Sequence, residues 1–303
     1  MTAWSRCVND EIGSPGTIGC RDHILVDVDI PSVELSSGFR LPLVGLGTYD
    51  MLGMPCVDAV SDALRSGYRL LDTASRYSNE LSVGMGLRES GIARDEVAVQ
   101  TKLGGGDQGF DEAINAAKES ARRLGVAHID IYLIHWPCPS LGRTVDSWKA
   151  LLTLADEGFI TVPGVSNFKA HQLQMLYDET GVWPQVNQIQ CSPALARDGL
   201  REFMSERGIV AQAWHPTGRK EGMLGDAVII RLARKYGKSP TQIALRWSVQ
   251  QGISVVPKSS HRGRQLENAD LFDFSFDAAD LAELATLDRG EKAARDSDVE
   301  EEF

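Results

Sequence analysis

Eight short apolar runs punctuate the chain, and each is followed by a stretch of helical period. The runs are Leu43–Leu46, Tyr68–Leu71, Val97–Thr101, Ile129–Ile134, Thr161–Val165, Val186–Ile189, Ile209–Trp214 and Ile253–Pro257. Between and after them lie helical patterns over 58–66, 80–90, 110–124, 145–157, 170–180, 197–207, 226–236, 240–251, 264–270 and 278–287. Glycine follows many of these stretches, at Gly67, Gly91, Gly125, Gly158, Gly181 and Gly208, where a helix end wants a left-handed residue. A run such as Ile129–Ile134 carries no polar face, apart from Asp130, so it suits a parallel strand covered on both sides. Strand and helix alternating every ~25–40 residues predicts an α/β fold, a single (β/α)₈ barrel. Val33–Leu35 and Arg40–Leu43 flank Ser-Ser-Gly-Phe and read as an N-terminal β-hairpin. An extra helix and a tail follow the last strand. The barrel spans 31–290, with an extension at 1–30 that either crosses the barrel floor or stands apart, and an acidic tail at 291–303. A doubly wound open sheet is the competing architecture, but no G-x-G-x-x-G follows the first strand, where the chain reads only Gly45-Leu46-Gly47-Thr48.

Charge narrows the partners. The 303 residues carry 31 Lys plus Arg against 42 Asp plus Glu, a net charge of −11, which disfavours nucleic acid as a partner. Residues 1–30 contribute −3 and residues 291–303 contribute −4, so the ends read as solvated and the body is only mildly acidic. The glutamates at 300, 301 and 302 are expected to serve solubility. Five cysteines, at 7, 20, 56, 138 and 191, are widely spaced and form no metal-binding motif. Free thiols, a cytoplasmic protein without a signal peptide or membrane span, and no metal site are the expectations. An isolated barrel buries its own core, so a monomer is expected, with a weak homodimer as the alternative.

The strand ends carry the chemistry, because in a barrel they meet at one mouth. The residues there are Asp72, Lys102, His135, Ser166, Asn167, Gln188, Trp214 and Lys258. Asp72 and Lys102 lie on adjacent strands, and Tyr77 sits on the loop after Asp72. A positive charge held near the phenol would lower its pKa and ready it to protonate a substrate oxygen. His135 would orient and polarise that oxygen. Such a tetrad suits carbonyl reduction, which needs a hydride source. Ser166, Asn167 and Gln188 could hold a carboxamide, and Trp214 could stack on a flat ring. Lys258, Ser259, Ser260, Arg264 and Asn268 make a local basic cluster at a short helix start, fit for a phosphate. A phosphate on the adenosine ribose would favour NADPH over NADH.

These motifs resemble the aldo-keto reductases. Gly67-Tyr68-Arg69-Leu70-Leu71-Asp72-Thr73-Ala74 with Tyr77 and Asn79-Glu80, Gly164-Val165-Ser166-Asn167-Phe168, and Val256-Pro257-Lys258-Ser259 with Arg264, Glu267 and Asn268 are similar to three stretches of that family. Ile131-Tyr132-Leu133-Ile134-His135-Trp136-Pro137 supplies its histidine. The likeness runs from about residue 33 to Phe276. It implies a (β/α)₈ enzyme that uses NADPH to reduce aldehydes or ketones. It implies Tyr77 as general acid, Lys102 and Asp72 as its support, and His135 as the orienting group. It also implies Ser166, Asn167, Gln188 and Trp214 around the nicotinamide, Gly47 and Thr48 near its ribose, and Lys258, Ser259, Ser260, Arg264, Glu267 and Asn268 around the adenosine phosphate and adenine. Implied substrates are small aldehydes, dicarbonyls, or keto acids and sugars like the diketogluconate that bacterial members reduce. Tyr49, Leu103, His135 and Trp136 are the expected substrate pocket.

The chain departs from the family pattern at two places. His215-Pro216-Thr217-Gly218 stands where Ser-Pro-Leu is usual, at the expected pyrophosphate contacts, and Gln190-Cys191-Ser192-Pro193 replaces Glu-x-His-Pro. The glycine-rich loop from Leu103 to Asp107 is expected to be mobile at the rim. A silent NADPH-binding barrel, acting as sensor or accessory subunit, is the alternative function. The presence of a proton donor argues against it.

Overall fold

The computed structural model describes residues 28–218 and 222–302; residues 1–27 of the extension expected at 1–30, residues 219–221 and Phe303 lie outside the described residues. Strands β1 (Ser32–Glu34) and β2 (Arg40–Pro42) form an antiparallel hairpin. Eight parallel strands follow: β3 (Leu46–Gly47), β4 (Leu70–Asp72), β5 (Ala98–Leu103), β6 (Ile129–Ile134), β7 (Ile160–Ser166), β8 (Val186–Gln190), β9 (Val210–Trp214) and β10 (Ser254–Val255). They pair in chain order from β3 to β10. Bridges from Val44 to Val255 and from Gly47 to Lys258 join the first strand to the last, with Gly45 N donating to Val255 O at 2.8 Å and Val255 N donating to Leu43 O at 2.8 Å. The sheet is therefore closed. Gly47 is required at this seam, because a Cβ there would overlap the Val256 carbonyl oxygen.

Helices α1 (Gly53–Arg65), α2 (Glu80–Ser90), α3 (Phe110–Leu124), α4 (Thr144–Asp156), α5 (Ala170–Thr180) and α6 (Asp198–Ser205) each connect one strand to the next. Two helices, α7 (Ala227–Tyr236) and α8 (Pro240–Gln250), precede β10, and α9 (Arg262–Ala269) and α10 (Ala278–Ala285) follow it. Helix α3 shows why the local sequence suffices. Ala113, Ala117, Ala121 and Leu124 form its buried stripe, acids lie in its first turn and arginines in its last, and left-handed Gly125 ends it. Helix α8 starts at a capping box in which Ser239 and Gln242 satisfy each other's backbone N–H groups.

Two kinds of core result. Between strands and helices lie the large apolar layers, in which Leu103, Tyr132 and Trp148 are fully buried. Inside the barrel, Leu70, Ala98, Ile131, Leu133, Val162, Val186 and Val256 pack with Leu35 and Leu41 of the hairpin, which closes the floor. Cys56, Cys138 and Cys191 are free and buried. Among the described residues, no helix is long and apolar enough to cross a membrane, and no three His, Cys, Asp or Glu cluster as a metal site would need.

The charge excess of residues 291–303 suggests a solvated tail; residues 291–302 instead run across the mouth of the barrel. Glu291 pairs with Arg197, Asp296 and Asp298 with Lys169, and Glu300 with Arg295. Arg295 N donates to Gln190 Oε1 at 3.1 Å, Gln172 Nε2 donates to Asp298 Oδ1 at 2.8 Å, and Ser140 N donates to Glu301 Oε1 at 2.7 Å. Ser297 is buried. Most of these acids are spent on Arg197, Lys169 and Ser140 of the strand-to-helix connections or on Arg295 of the strap itself, a placement that composition does not carry.

Candidate active site

The carboxyl ends of the strands surround a cavity of about 630 Å³. Tyr77, which closes a 3₁₀ turn (Ser75–Tyr77) after β4, faces it, as do Asp72 at the end of β4 and His135 just after β6. Lys102 lies beneath, fully buried, with Nζ donating to Asp72 Oδ1 at 2.6 Å and to Thr73 O at 2.9 Å. Its Nζ is 5.1 Å from the Tyr77 ring centre, and the Tyr77 and His135 rings meet edge to face at 5.7 Å. The four groups expected to share one site do share it.

Their electrostatics differ from the expectation. Burial, then the carboxylates of Asp72 and Glu302, hold the Tyr77 phenol well above its ordinary value rather than below it. Burial lowers Lys102, and Asp72 only partly offsets this. Burial, reinforced by Lys102, Arg76 and Arg295, holds His135 well below 6.5, so the imidazole is neutral at pH 7. Its Nδ1 is buried without a partner while Nε2 faces the cavity. A buried N–H left unpaired is costly, which favours the proton on Nε2. The site thus holds two neutral donors, a phenol and an imidazole, on one wall.

Beneath them is a band of buried amides. Gln100 Nε2 and Gln188 Nε2 donate to Asp72 Oδ1 at 2.6 and 2.9 Å, and both also donate to Gln212 Oε1. Gln212 Nε2 lies 3.4 Å from Ser254 Oγ, which donates to Pro42 O. The Asp72 carboxylate is therefore fixed from two other strands, β5 through Gln100 and Lys102 and β8 through Gln188. The Nε2 of Gln188 is committed to this band, and its Oε1 is left on the cavity side.

Along the cavity from Tyr77, the Trp214 indole is held by Nε1 donating to Asn167 Oδ1 at 2.8 Å, and Asn167 Nδ2 donates to His135 O at 3.0 Å. Asn167 adopts a left-handed backbone, φ 67°. Ser166, Asn167, Gln188, Trp214, His215, Pro216 and Thr217 line this part. Lys258, Ser259, Arg264, Glu267 and Asn268 line the far end, at the start of α9. Among the described residues, neither Lys258 nor Arg264 has an acidic partner within ion-pair distance. Unneutralised cations beside a helix start and a serine hydroxyl fit a bound phosphate.

The sequence model of the Aldo/keto reductase family matches residues 55–289. The chain belongs to this family. It is 42% identical over 275 residues to 2,5-diketo-D-gluconic acid reductase B of a Corynebacterium species, covering 91% of this chain and 99% of that one. It is 39% identical over 267 residues to the methylglyoxal reductase of Salmonella typhimurium, covering 88% and 96%. Among solved structures, Bombyx mori aldo-keto reductase in complex with NADP superposes with a TM-score of 0.81 at 31% identity, covering 86% and 94%.

In this aldo/keto reductase, several expected site residues lie off the cavity wall. Thr48 is fully buried, its hydroxyl donating to Asp72 O at 2.9 Å, so it braces β4 instead of facing a ribose. Leu103 packs in the strand–helix layer, away from the pocket, because alternate residues of β5 point outward. Gly218, with φ 72°, turns the chain behind Thr217, and Ser260 is exposed outside the lining. Gly47, Tyr49 and Trp136 do line the cavity. The glycine-rich loop has a packing reason: a Cβ at Gly105 would come within 2.5 Å of the Glu302 carbonyl oxygen. Six lining residues are not among those the sequence singles out for the site, Asp50, Thr241, Val256, Pro257, Arg295 and Glu302, nor are Gln100 and Gln212 of the amide band. Gln100 and Gln212 carried a visible signal, a polar side chain inside an apolar strand. Arg295 and Glu302 carried none, since an acidic tail looks alike whether docked or free.

Proposed function

We propose that this aldo/keto reductase reduces aldehydes or ketones to alcohols with NADPH. The carrying observation is one continuous cavity: Tyr77 and neutral His135 stand over the Lys102–Asp72 pair at one end, and Lys258 and Arg264, with no acidic partner among the described residues, stand at the other. The donor set fits a nicotinamide dinucleotide with a third phosphate. Trp214 would stack on the ring, Ser166, Asn167 and the Oε1 of Gln188 would hold its amide, and Lys258, Ser259, Arg264 and Asn268 would hold the adenosine phosphate. When bound, the cofactor supplies hydride.

The chain's own groups supply the rest. The Nε2–H of His135 donates to the carbonyl oxygen and sets its position against Tyr77. The raised pKa keeps the Tyr77 phenol protonated at neutral pH, so it has a proton to give as negative charge builds on that oxygen. The ammonium of Lys102, 5.1 Å from the ring centre, then stabilises the phenolate that the transfer leaves. Asp72, fixed by Lys102, Gln100 and Gln188, holds that ammonium in place. The named relatives act on a diketo acid and on an uncharged dicarbonyl, which supports small dicarbonyls as the substrate class.

The test is loss of NADPH absorbance with a panel of aldehydes, dicarbonyls and keto acids. Turnover with at least one carbonyl is expected. Tight NADPH binding with no turnover on any of them would overturn the reading in favour of a silent binding barrel.

A further inference from the structure

The strap over the mouth brings a charge to the reacting centre. Counting from Gly290, its acids are Glu291, Asp296, Asp298, Glu300, Glu301 and Glu302. The first four pair with Arg197, Lys169 and Arg295, and Glu301 accepts from Ser140. Glu302 differs. Its Oε2 lies 3.9 Å from His135 Nε2, and His135 is its sole charged-type partner within 4.0 Å among the described residues. Its side chain is 33% exposed and lines the cavity. The backbone is seated there by close packing: its carbonyl oxygen is 4.0 Å from Cys138 Sγ, and Gly105 leaves room for it by lacking a Cβ.

We propose that Glu302 is a specificity-determining residue that selects uncharged carbonyl substrates over anionic ones. This rests on the carbonyl reductase reading of the same site. His135 Nε2 is the donor that a substrate carbonyl must reach. A keto acid carries its carboxylate next to that carbonyl, so it must either sit against the Glu302 carboxylate or displace it. An uncharged aldehyde or dicarbonyl faces no such repulsion. Other charges face the same region. Lys102 is matched by Asp72 and Arg295 by Glu300, and Arg295 also lies 4.5 Å above the Trp136 ring. Arg76 is exposed at the rim and acts on His135 through space. Asp50 also lines the cavity, and neutralising Glu302 removes the acid nearest the His135 donor while the Arg295–Glu300 pair and Arg76 stay in place, so the repulsion is lifted and anionic substrates gain.

The experiment compares 4-nitrobenzaldehyde with 4-carboxybenzaldehyde, which share one reacting group and differ by one charge, in the wild type, Glu302→Gln and Glu302→Lys. The ratio of kcat/KM for the carboxylate to that for the nitro compound is expected to rise about tenfold in E302Q and further in E302K, mainly through KM. A ratio that stays constant, whether both substrates change together or neither changes, would show a role in shape alone and overturn the proposal. So would a ratio that falls. Failure of the underlying reading looks different: the wild type would oxidise no NADPH with any aldehyde, and the proposal would fall with it.

Discussion

The two ends of the barrel are closed by opposite means. At the floor, Leu35 and Leu41 of the hairpin seal against Leu70, Ile131, Val162 and Val186, and no side chain in that cluster titrates. At the mouth, an acidic strap is fastened by ion pairs and amide hydrogen bonds over Tyr77, His135 and a cavity. Apolar closure is strong and blind to ligand chemistry, because it depends on area removed from water. Polar closure is weak pair by pair, but it places charge and donors at fixed points. Stability is expected to depend on the first end and selectivity on the second.

The sharpest way to test that division is to strike each end in turn. Tyr77→Phe should lower carbonyl reduction by about 10²–10⁴-fold while leaving NADPH affinity and melting temperature nearly unchanged; a fully active variant would place the acid elsewhere. Leu41→Ala at the floor should do the reverse, costing about 2–5 kcal/mol of stability with little change in KM for the folded enzyme. Denaturant unfolding and steady-state kinetics on one preparation decide it. Lys258→Ala combined with Arg264→Ala should weaken NADPH by roughly tenfold or more and NADH far less, since only NADPH carries the extra phosphate. Equal loss for both would break the assignment of that end of the mouth. Lys169→Ala, which unfastens Asp296 and Asp298, should cost under about 1 kcal/mol, because these groups are partly exposed.

The smallest effect concerns pH. His135 is held well below 6.5, so as pH falls below 6.5 the unfolded chain takes up a proton that the folded site refuses. Stability therefore declines on acidification through this group, and His135→Gln should flatten the fall in melting temperature between pH 7 and 5. An unchanged slope would mean that the imidazole titrates freely. Floor substitutions should leave the slope alone, because they add no titratable group.

Much of this division was legible in the chain. The helices at 80–90, 110–124 and 170–180 emerged with the bounds their apolar spacing and closing glycines predict. The seam strands β3 and β10 came out shorter than their apolar runs, with two residues each. Gly45, Gly47 and Pro257 cluster there, and proline has no N–H to give a ladder. The strand-end residues Asp72, Tyr77, Lys102 and His135 converge because register along parallel strands is set by local pattern. Thr48 and Leu103 did not, because one residue along a strand exchanges a face on the cavity for one in the core.

Sequence by itself determined the barrel, its hairpin, the family and which polar residues meet at the mouth, since periodicity and strand-end positions are local properties. Tertiary structure alone decided that burial raises rather than lowers the Tyr77 phenol, that Gln100 and Gln188 brace Asp72, and that an acidic tail is a strap bringing Glu302 to His135. Each of these depends on which groups, far apart in the chain, exclude water from one another. Desolvation and Coulomb energy are functions of that distance and burial, and neither is written in composition.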